Sequence, residues 1–126
     1  MDCRETDFSF DLRQLKESRE DCFIFRMPSG IQDEDSLLKT FRDGLRFPYF
    51  GYNWDALFDC LRDLSWIKEP IVVIIHQVLP WLDREALRIY LEILSDSVRH
   101  WRRRNGHKLE VFFPEAVRSA VRNILS

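Results

Sequence analysis

The spacing of apolar side chains along the 126 residues switches between two periods, and each switch marks an element. Residues 22–27, Cys-Phe-Ile-Phe-Arg-Met, are rich in aromatic and β-branched side chains and close on Pro28, Ser29 and Gly30, the pattern of a buried strand entering a turn. Asp33, Glu34, Asp35 and Ser36 then supply a cap and first-turn acids for a helix whose stripe is Leu37, Leu38, Phe41 and Leu45, ending near Gly44. Residues 70–75, Pro-Ile-Val-Val-Ile-Ile, are apolar on both faces, which predicts a strand inside a parallel sheet covered by helices, started by its proline. From Asp83 onward, Leu87, Tyr90, Leu91, Leu94, Val98 and Trp101 keep a three-and-four spacing, so a helix of about twenty residues runs to Arg104 and Asn105-Gly106 ends it. Residues 109–113 read as a third strand stopped by Pro114, and Ala116, Val117, Val121, Ile124 and Leu125 as a closing helix. Phe8, Phe10 and Leu12 alternate as one side of a short strand would, within an otherwise charged stretch from residue 1 to 21. The order strand, helix, helix, strand, helix, strand, helix predicts an α/β domain with a small parallel sheet, because each helical crossover returns the chain in the same direction.

Between the first two predicted helices lies the most distinctive stretch, residues 47–61. Pro48 biases Phe47 to extended geometry and Gly51 is free to adopt backbone angles closed to other residues, so a tight bend is expected there. Asn53 suits an N-cap, and Trp54, Leu57, Phe58, Leu61 and Leu64 form the buried stripe of the helix that follows. On the opposite face Asp55, Asp59 and Asp63 recur every four residues and share one edge. Like charges so spaced cost a helix about 0.2–0.5 kcal/mol each, and the helix dipole favours Asp55 but opposes Asp63. Arg62 partly offsets Asp59 from three residues away. A solvated face would account for such a row in an arbitrary helix. Tyr49, Phe50 and Tyr52 alter that reading, because a surface turn cannot bury all three against its own core, and aromatic surface beside carboxylates makes a binding edge.

Pro48-Tyr49-Phe50-Gly51-Tyr52-Asn53 followed by Asp55-Ala56-Leu57-Phe58-Asp59-Cys60-Leu61 resembles the signature of the barstar family, intracellular inhibitors of the ribonuclease barnase. The resemblance covers residues 22 to about 113. It implies a barstar-like single domain at residues 22–126, in which a three-stranded parallel sheet is packed with helices, plus an N-terminal extension at 1–21 and an added C-terminal helix. It further implies a bacterial, cytoplasmic immunity protein of a toxin–antitoxin pair, acting as a monomer that binds one cognate ribonuclease and needs no cofactor. By the family motif, Asp59 is the anchor, with Tyr49, Phe50, Gly51, Asn53, Asp55, Phe58, Arg62 and Asp63 around it and Trp66 adding a contact from the next loop. Near the C-terminal end of its long helix the family carries a glutamate that faces the ribonuclease. Alignment on Gly106 puts Trp101 there, beside His100, Arg102, Arg103 and Arg104. That edge is then reversed in charge, which implies a partner with an acidic or neutral rim and poor binding of barnase.

Composition narrows the remaining choices. With 45% hydrophobic residues the chain has material for one core, and a net charge of −2 from 19 basic and 21 acidic residues marks neither a nucleic-acid nor a membrane-surface binder. The charge is uneven along the chain: residues 1–35 hold ten acids and five bases, residues 99–122 seven bases and two acids. The N-terminal residues lack the pattern of a secretory signal, and the longest apolar run, 71–75, falls far short of a membrane span. Cys3, Cys22 and Cys60 are odd in number and widely spaced, as reduced thiols in a cytoplasm would be, and Cys60 beside its helical stripe reads as a core filler. Enzymatic readings find little support. The three aspartates line one exposed edge and flank no cleft, and His76, His100 and His107 show no metal-ligand spacing, His76 reading as structural and His100 as a helix-surface residue. An RNA-binding or other interaction module built on Arg99, Arg102, Arg103, Arg104 and Lys108 is the alternative. Cations at a helix C-terminus complement its dipole without any ligand, however, and helical spacing already explains Trp101.

Overall fold

A strand that is apolar on both faces must sit where both faces are covered, and Ile71–His76 (β2) does: each of its six residues is buried. In the computed structural model, which describes residues 4–15 and 21–126, β2 is the middle of a parallel sheet of order β1-β2-β3, with β1 at Cys22–Met27 and β3 at Lys108–Phe112. Glu34–Gly44 (α1) and Trp54–Asp63 (α2) form the first crossover, Arg84–Arg102 (α3) the second, and Arg118–Leu125 (α4) follows β3. Each crossover helix opens on the side-chain cap its sequence provides. Asp33 accepts from Ser36 N at 2.7 Å, Asn53 from Ala56 N at 2.7 Å and Asp83 from Ala86 N at 2.8 Å, contacts that contribute about 1 kcal/mol each.

Among the described residues the helices cover one face of the sheet. The register Phe25↔Ile74↔Val111 turns these side chains, with Met27, Val72, Leu109 and Phe113, into the main core, where they meet Phe41 of α1, Leu57 and Leu61 of α2, Leu91 and Leu94 of α3 and Val121 of α4. The second face, Ile71, Val73, Ile75 and Phe112, packs against Leu15, Cys22 and Ile24, and among the described residues no α-helical residue joins it. Among the described residues, Leu15 from the chain before β1 lies on this face, and Cys22 and Ile24 belong to β1 itself, beside it in the sheet. Glycine matters where α1 crosses β1: a Cβ on Gly44 would lie 2.2 Å from the Phe25 ring, so only a bare α-carbon lets the helix so close.

His76 ends β2 inside the core. Its ring stacks on Phe113 at 4.0 Å, Nδ1–H donates to Phe112 O at 3.0 Å, and Nε2 accepts from the Tyr90 hydroxyl at 2.5 Å. Burial lowers its pKa to about 4 and raises that of Tyr90, so both stay neutral and the two partners are satisfied. The structural reading of His76 holds.

The N-terminal stretch is no strand. Arg4–Asp7 and Leu12–Gln14 are 3-10 turns, and between them Ser9 alone bridges to β3, giving its N–H to Val111 O at 2.8 Å and accepting from Phe113 N at 2.9 Å. Phe8 and Phe10, on either side of Ser9, are buried against Phe113, as their alternation predicts. Leu12 breaks that pattern and is exposed, because the Asp11 carboxylate accepts from Arg13 N at 3.0 Å and curls the chain into a turn. Asp7 is the firmest attachment. Its side chain is only 2% exposed and accepts from Ser95 Oγ at 2.6 Å, Arg99 Nε at 2.7 Å and Arg102 Nη1 at 2.9 Å. Arg122 reaches Glu5 at 3.3 Å, so with Arg99 and Arg102 on Asp7 part of the charge asymmetry along the sequence is cancelled by contact between its two ends, and Arg4 pairs with Asp96. Residues 1–3, with Cys3, and 16–20 lie outside the described residues.

Candidate functional site

The segment leading into α2 is pinned along its whole length. Trp66 Nε1–H donates to Leu45 O at 2.8 Å, the Cys60 thiol to Tyr49 O at 3.4 Å and Asn53 Nδ2–H to Gly51 O at 3.2 Å, while Asn53 Oδ1 caps the helix. A chain of ring contacts, Phe50–Phe47 at 5.1 Å, Phe47–Trp66 at 5.7 Å and Trp66–Tyr49 at 6.3 Å, backs the turn. Cys60 is fully buried and its pKa rises to about 11 for that reason, which leaves a packing thiol, as its position on α2 suggests.

The bend itself differs from expectation. The residues in left-handed backbone are Arg46 (φ 57) and Tyr52 (φ 52), and Gly51 is not among them. A Cβ on Gly51 would meet only ordinary contacts, the nearest being Ala56 Cβ at 3.5 Å. Tyr52 holds its costly conformation through an edge-on contact with Phe50 at 5.4 Å and a hydrogen bond from Arg42 to its hydroxyl, a role for Arg42 that no local pattern announced. Phe50 and Trp66 are half-buried supports, while Tyr49 and Tyr52 stand out at 51% and 45% exposure.

The acidic row forms because each carboxylate meets a different compensation. Asp55 lies exposed in the first turn, where the dipole favours it. Asp59, at 64% side-chain exposure, pairs with Arg62 Nη2 at 2.7 Å. That guanidinium lies 3.8 Å over the Phe58 ring and also donates from Nε to Phe58 O at 3.3 Å. Asp63 accepts from the Tyr49 hydroxyl at 2.6 Å, which, with bonds to Ser65, holds its pKa below the usual carboxylate value. The same contact raises the Tyr49 pKa to about 12. Tyr49, Gly51, Asn53, Asp55, Phe58, Asp59, Arg62 and Asp63 thus fall on one turn and one helix, with Phe50 and Trp66 packed behind.

Beside this edge, between α2 and the C-terminal end of α3, lies a cleft of about 370 Å³ lined by Phe58, Arg62, Asp96, Arg99, His100, Arg103 and Arg104. Spacing along α2 alone could not reveal it, because its second wall comes from a helix some forty residues further on. Trp101, which alignment with the family put on this edge, is not there. Its ring is buried and Nε1–H donates to Leu61 O at 2.8 Å, as the helical stripe requires. His100 is half-buried against Trp101, not a plain surface residue. A larger groove of about 740 Å³ between the N-terminal segment and β3 holds further cations, of which three are paired, Arg102 by Asp7, Lys108 by Glu110 at 3.2 Å and Arg118 by Glu115 at 2.8 Å, while Arg104 lines this groove as well as the cleft.

Among the described residues no cluster of three or more His, Cys, Asp or Glu could hold a metal ion, and no helix is long and apolar enough to cross a membrane. The family model for barstar, the barnase inhibitor, matches residues 24–114, from β1 through the turn, α2 and α3 to the end of β3. No curated protein and no solved structure gives a significant match.

Proposed function

The chain belongs to the barstar family of barnase inhibitors, and from that premise we propose that it closes the active site of a cognate ribonuclease toxin with the acidic edge of α2 and the turn before it. The observation that carries the proposal is Asp59, an exposed carboxylate on a capped helix that follows a turn with two exposed tyrosines, Tyr49 held through its backbone and Tyr52 through its hydroxyl. A ribonuclease holds phosphates with cations. Carboxylates fixed in a rigid row occupy such positions, are steered in by the opposite charge, and form charge-assisted hydrogen bonds once water leaves. Asp59 is the anchor, with Tyr49, Phe50, Gly51, Asn53, Asp55, Phe58, Arg62, Asp63 and Trp66 forming or supporting its surroundings. The complex is one to one, in a bacterial cytoplasm, and inhibition needs no chemistry. Pairing of Arg102 with Asp7 and of Lys108 with Glu110 weakens the RNA-binding alternative, which keeps Arg104 in the larger groove.

The chain used as bait in a bacterial lysate should retain a ribonuclease and stop its cleavage of RNA at equimolar amounts. Asp59→Ala should weaken that complex by about 2–5 kcal/mol, mainly through faster dissociation, while leaving the thermal transition unchanged. Wild-type affinity in the folded variant would remove Asp59 from the interface.

A further inference from the structure

A partner that covers the exposed edge of α2 covers the cleft beside it too. A specific interface draws roughly 20–30 residues from each side, more than the turn and helix edge named above. Arg62 belongs to both surfaces, since its guanidinium is bonded to Asp59 and also lines the cleft. Facing it are Arg103 and Arg104. Arg104 donates to His100 O at 3.2 Å, and among the described residues no carboxylate pairs with either arginine. The carboxylates around the cleft are taken by other cations: Asp59 by Arg62, Asp7 by Arg99 and Arg102, and Asp96 by Arg4. Burial, then the charges of Arg104 and Arg62, hold the His100 imidazole below its ordinary pKa, so the cleft is electropositive even with Asp96 on its wall. The helix dipole accounts for these cations while water solvates them. Under a partner they lose that water, and an unpaired buried guanidinium is costly.

We propose that the docking surface is dipolar: the cleft receives a carboxylate side chain of the partner toxin, next to the partner cation that meets Asp59. This rests on the inhibitor reading above. The fork of a guanidinium suits bidentate pairing with a carboxylate, so Arg103 and Arg104 discriminate as well as attract. A ribonuclease whose rim is uniformly cationic meets like charge at the cleft and is rejected.

Two peptides, tetraglutamate and tetralysine, serve as probes against the full chain, followed by side-chain NMR. Tetraglutamate should shift the Arg62, His100, Arg103 and Arg104 signals and raise the His100 titration midpoint. In the double variant Arg103→Glu, Arg104→Glu these shifts should vanish while the tetralysine response at Asp55 and Asp59 persists. Shifts spread evenly over exposed arginines such as Arg13, or retained in the double variant, would overturn the proposal. A missing tetralysine response at Asp59 would instead overturn the inhibitor reading, so the two failures are distinct. Against a ribonuclease captured by the wild-type chain, the double variant should bind at least ~10-fold more weakly; unchanged or tighter binding refutes the acidic contact.

Discussion

Replacing Asp7 by alanine should be among the most damaging single changes outside the hydrophobic core, although Asp7 precedes the part of the chain that matches the family. Its carboxylate is enclosed and serves three donors: Ser95 Oγ, Arg99 Nε and Arg102 Nη1. Arg102 is 57% exposed and returns to water at little cost, so its pair is worth under about 1 kcal/mol. Arg99 is 28% exposed and Ser95 is fully buried. A charged hydrogen bond of the first kind contributes roughly 1.5–3 kcal/mol, and a buried hydroxyl left without its acceptor costs about 1–3 kcal/mol. The loss is therefore about 3 kcal/mol, the lower end of what breaking a buried pair costs, against a total stability of roughly 5–15 kcal/mol. Urea unfolding should show the midpoint falling with an unchanged slope, and the melting temperature should drop by about 10 °C. Asp7→Asn, which still offers Ser95 an acceptor, should recover part of the loss. If Asp7→Ala lies within about 0.5 kcal/mol of wild type, or if Arg102→Ala costs as much, the enclosed carboxylate is not what fastens the N-terminal segment.

Acid should weaken the fold through His76: unfolded, the ring titrates near 6.5, but folded only near 4. The unfolded chain therefore binds the extra proton between those values, and stability falls as pH drops from 6.5 to 4, by on the order of 3 kcal/mol in full. His76→Gln should flatten most of that part of the profile, leaving a smaller contribution of the same sign from His100, and a flat wild-type profile would refute it; the aspartates with lowered pKa, Asp11, Asp33, Asp43 and Asp63, act only below about 3.8. Gly44→Ala should cost at least about 1–3 kcal/mol by driving a methyl into the Phe25 ring, visible as a lower melting temperature. Gly51→Ala should leave the free protein within about 0.5 kcal/mol of wild type, so any loss of ribonuclease inhibition it causes reports contact with the partner, and a large loss of stability would contradict the ordinary contacts a Cβ makes there.

Period and punctuation made most of the architecture legible. The long helix stops at Arg102, short of the Arg104 and Asn105-Gly106 end its sequence suggests, whereas the strands at residues 22–27 and 70–75 and the caps Asp33 and Asn53 were readable because each depends on neighbours in sequence. The cover of the second sheet face was not, since an apolar strand states only that it is buried and not by what. At the site, the spacing of Asp55, Asp59 and Asp63 placed them on one edge, and Arg62 beside Asp59 followed from the helical repeat. Asp63 escaped, because the Tyr49 hydroxyl that holds it is fourteen residues away. Left-handed backbone at Tyr52 escaped for another reason: glycine is the residue one credits with that angle, and the bonds that impose it on tyrosine come from Arg42 and Phe50.

The seating of residues 4–10 also sets an order of events. Their partners are β3, α3 and α4, with Ser95 88 residues from Asp7 and Arg122 117 residues from Glu5. A ribosome adds about 5–20 residues each second, so this segment emerges several seconds before anything exists for it to rest on. Closure over such long sequence separations is slow as well. Phe8 and Phe10 are therefore bare throughout synthesis of the domain, and their burial against Phe113 belongs to the final stage of folding.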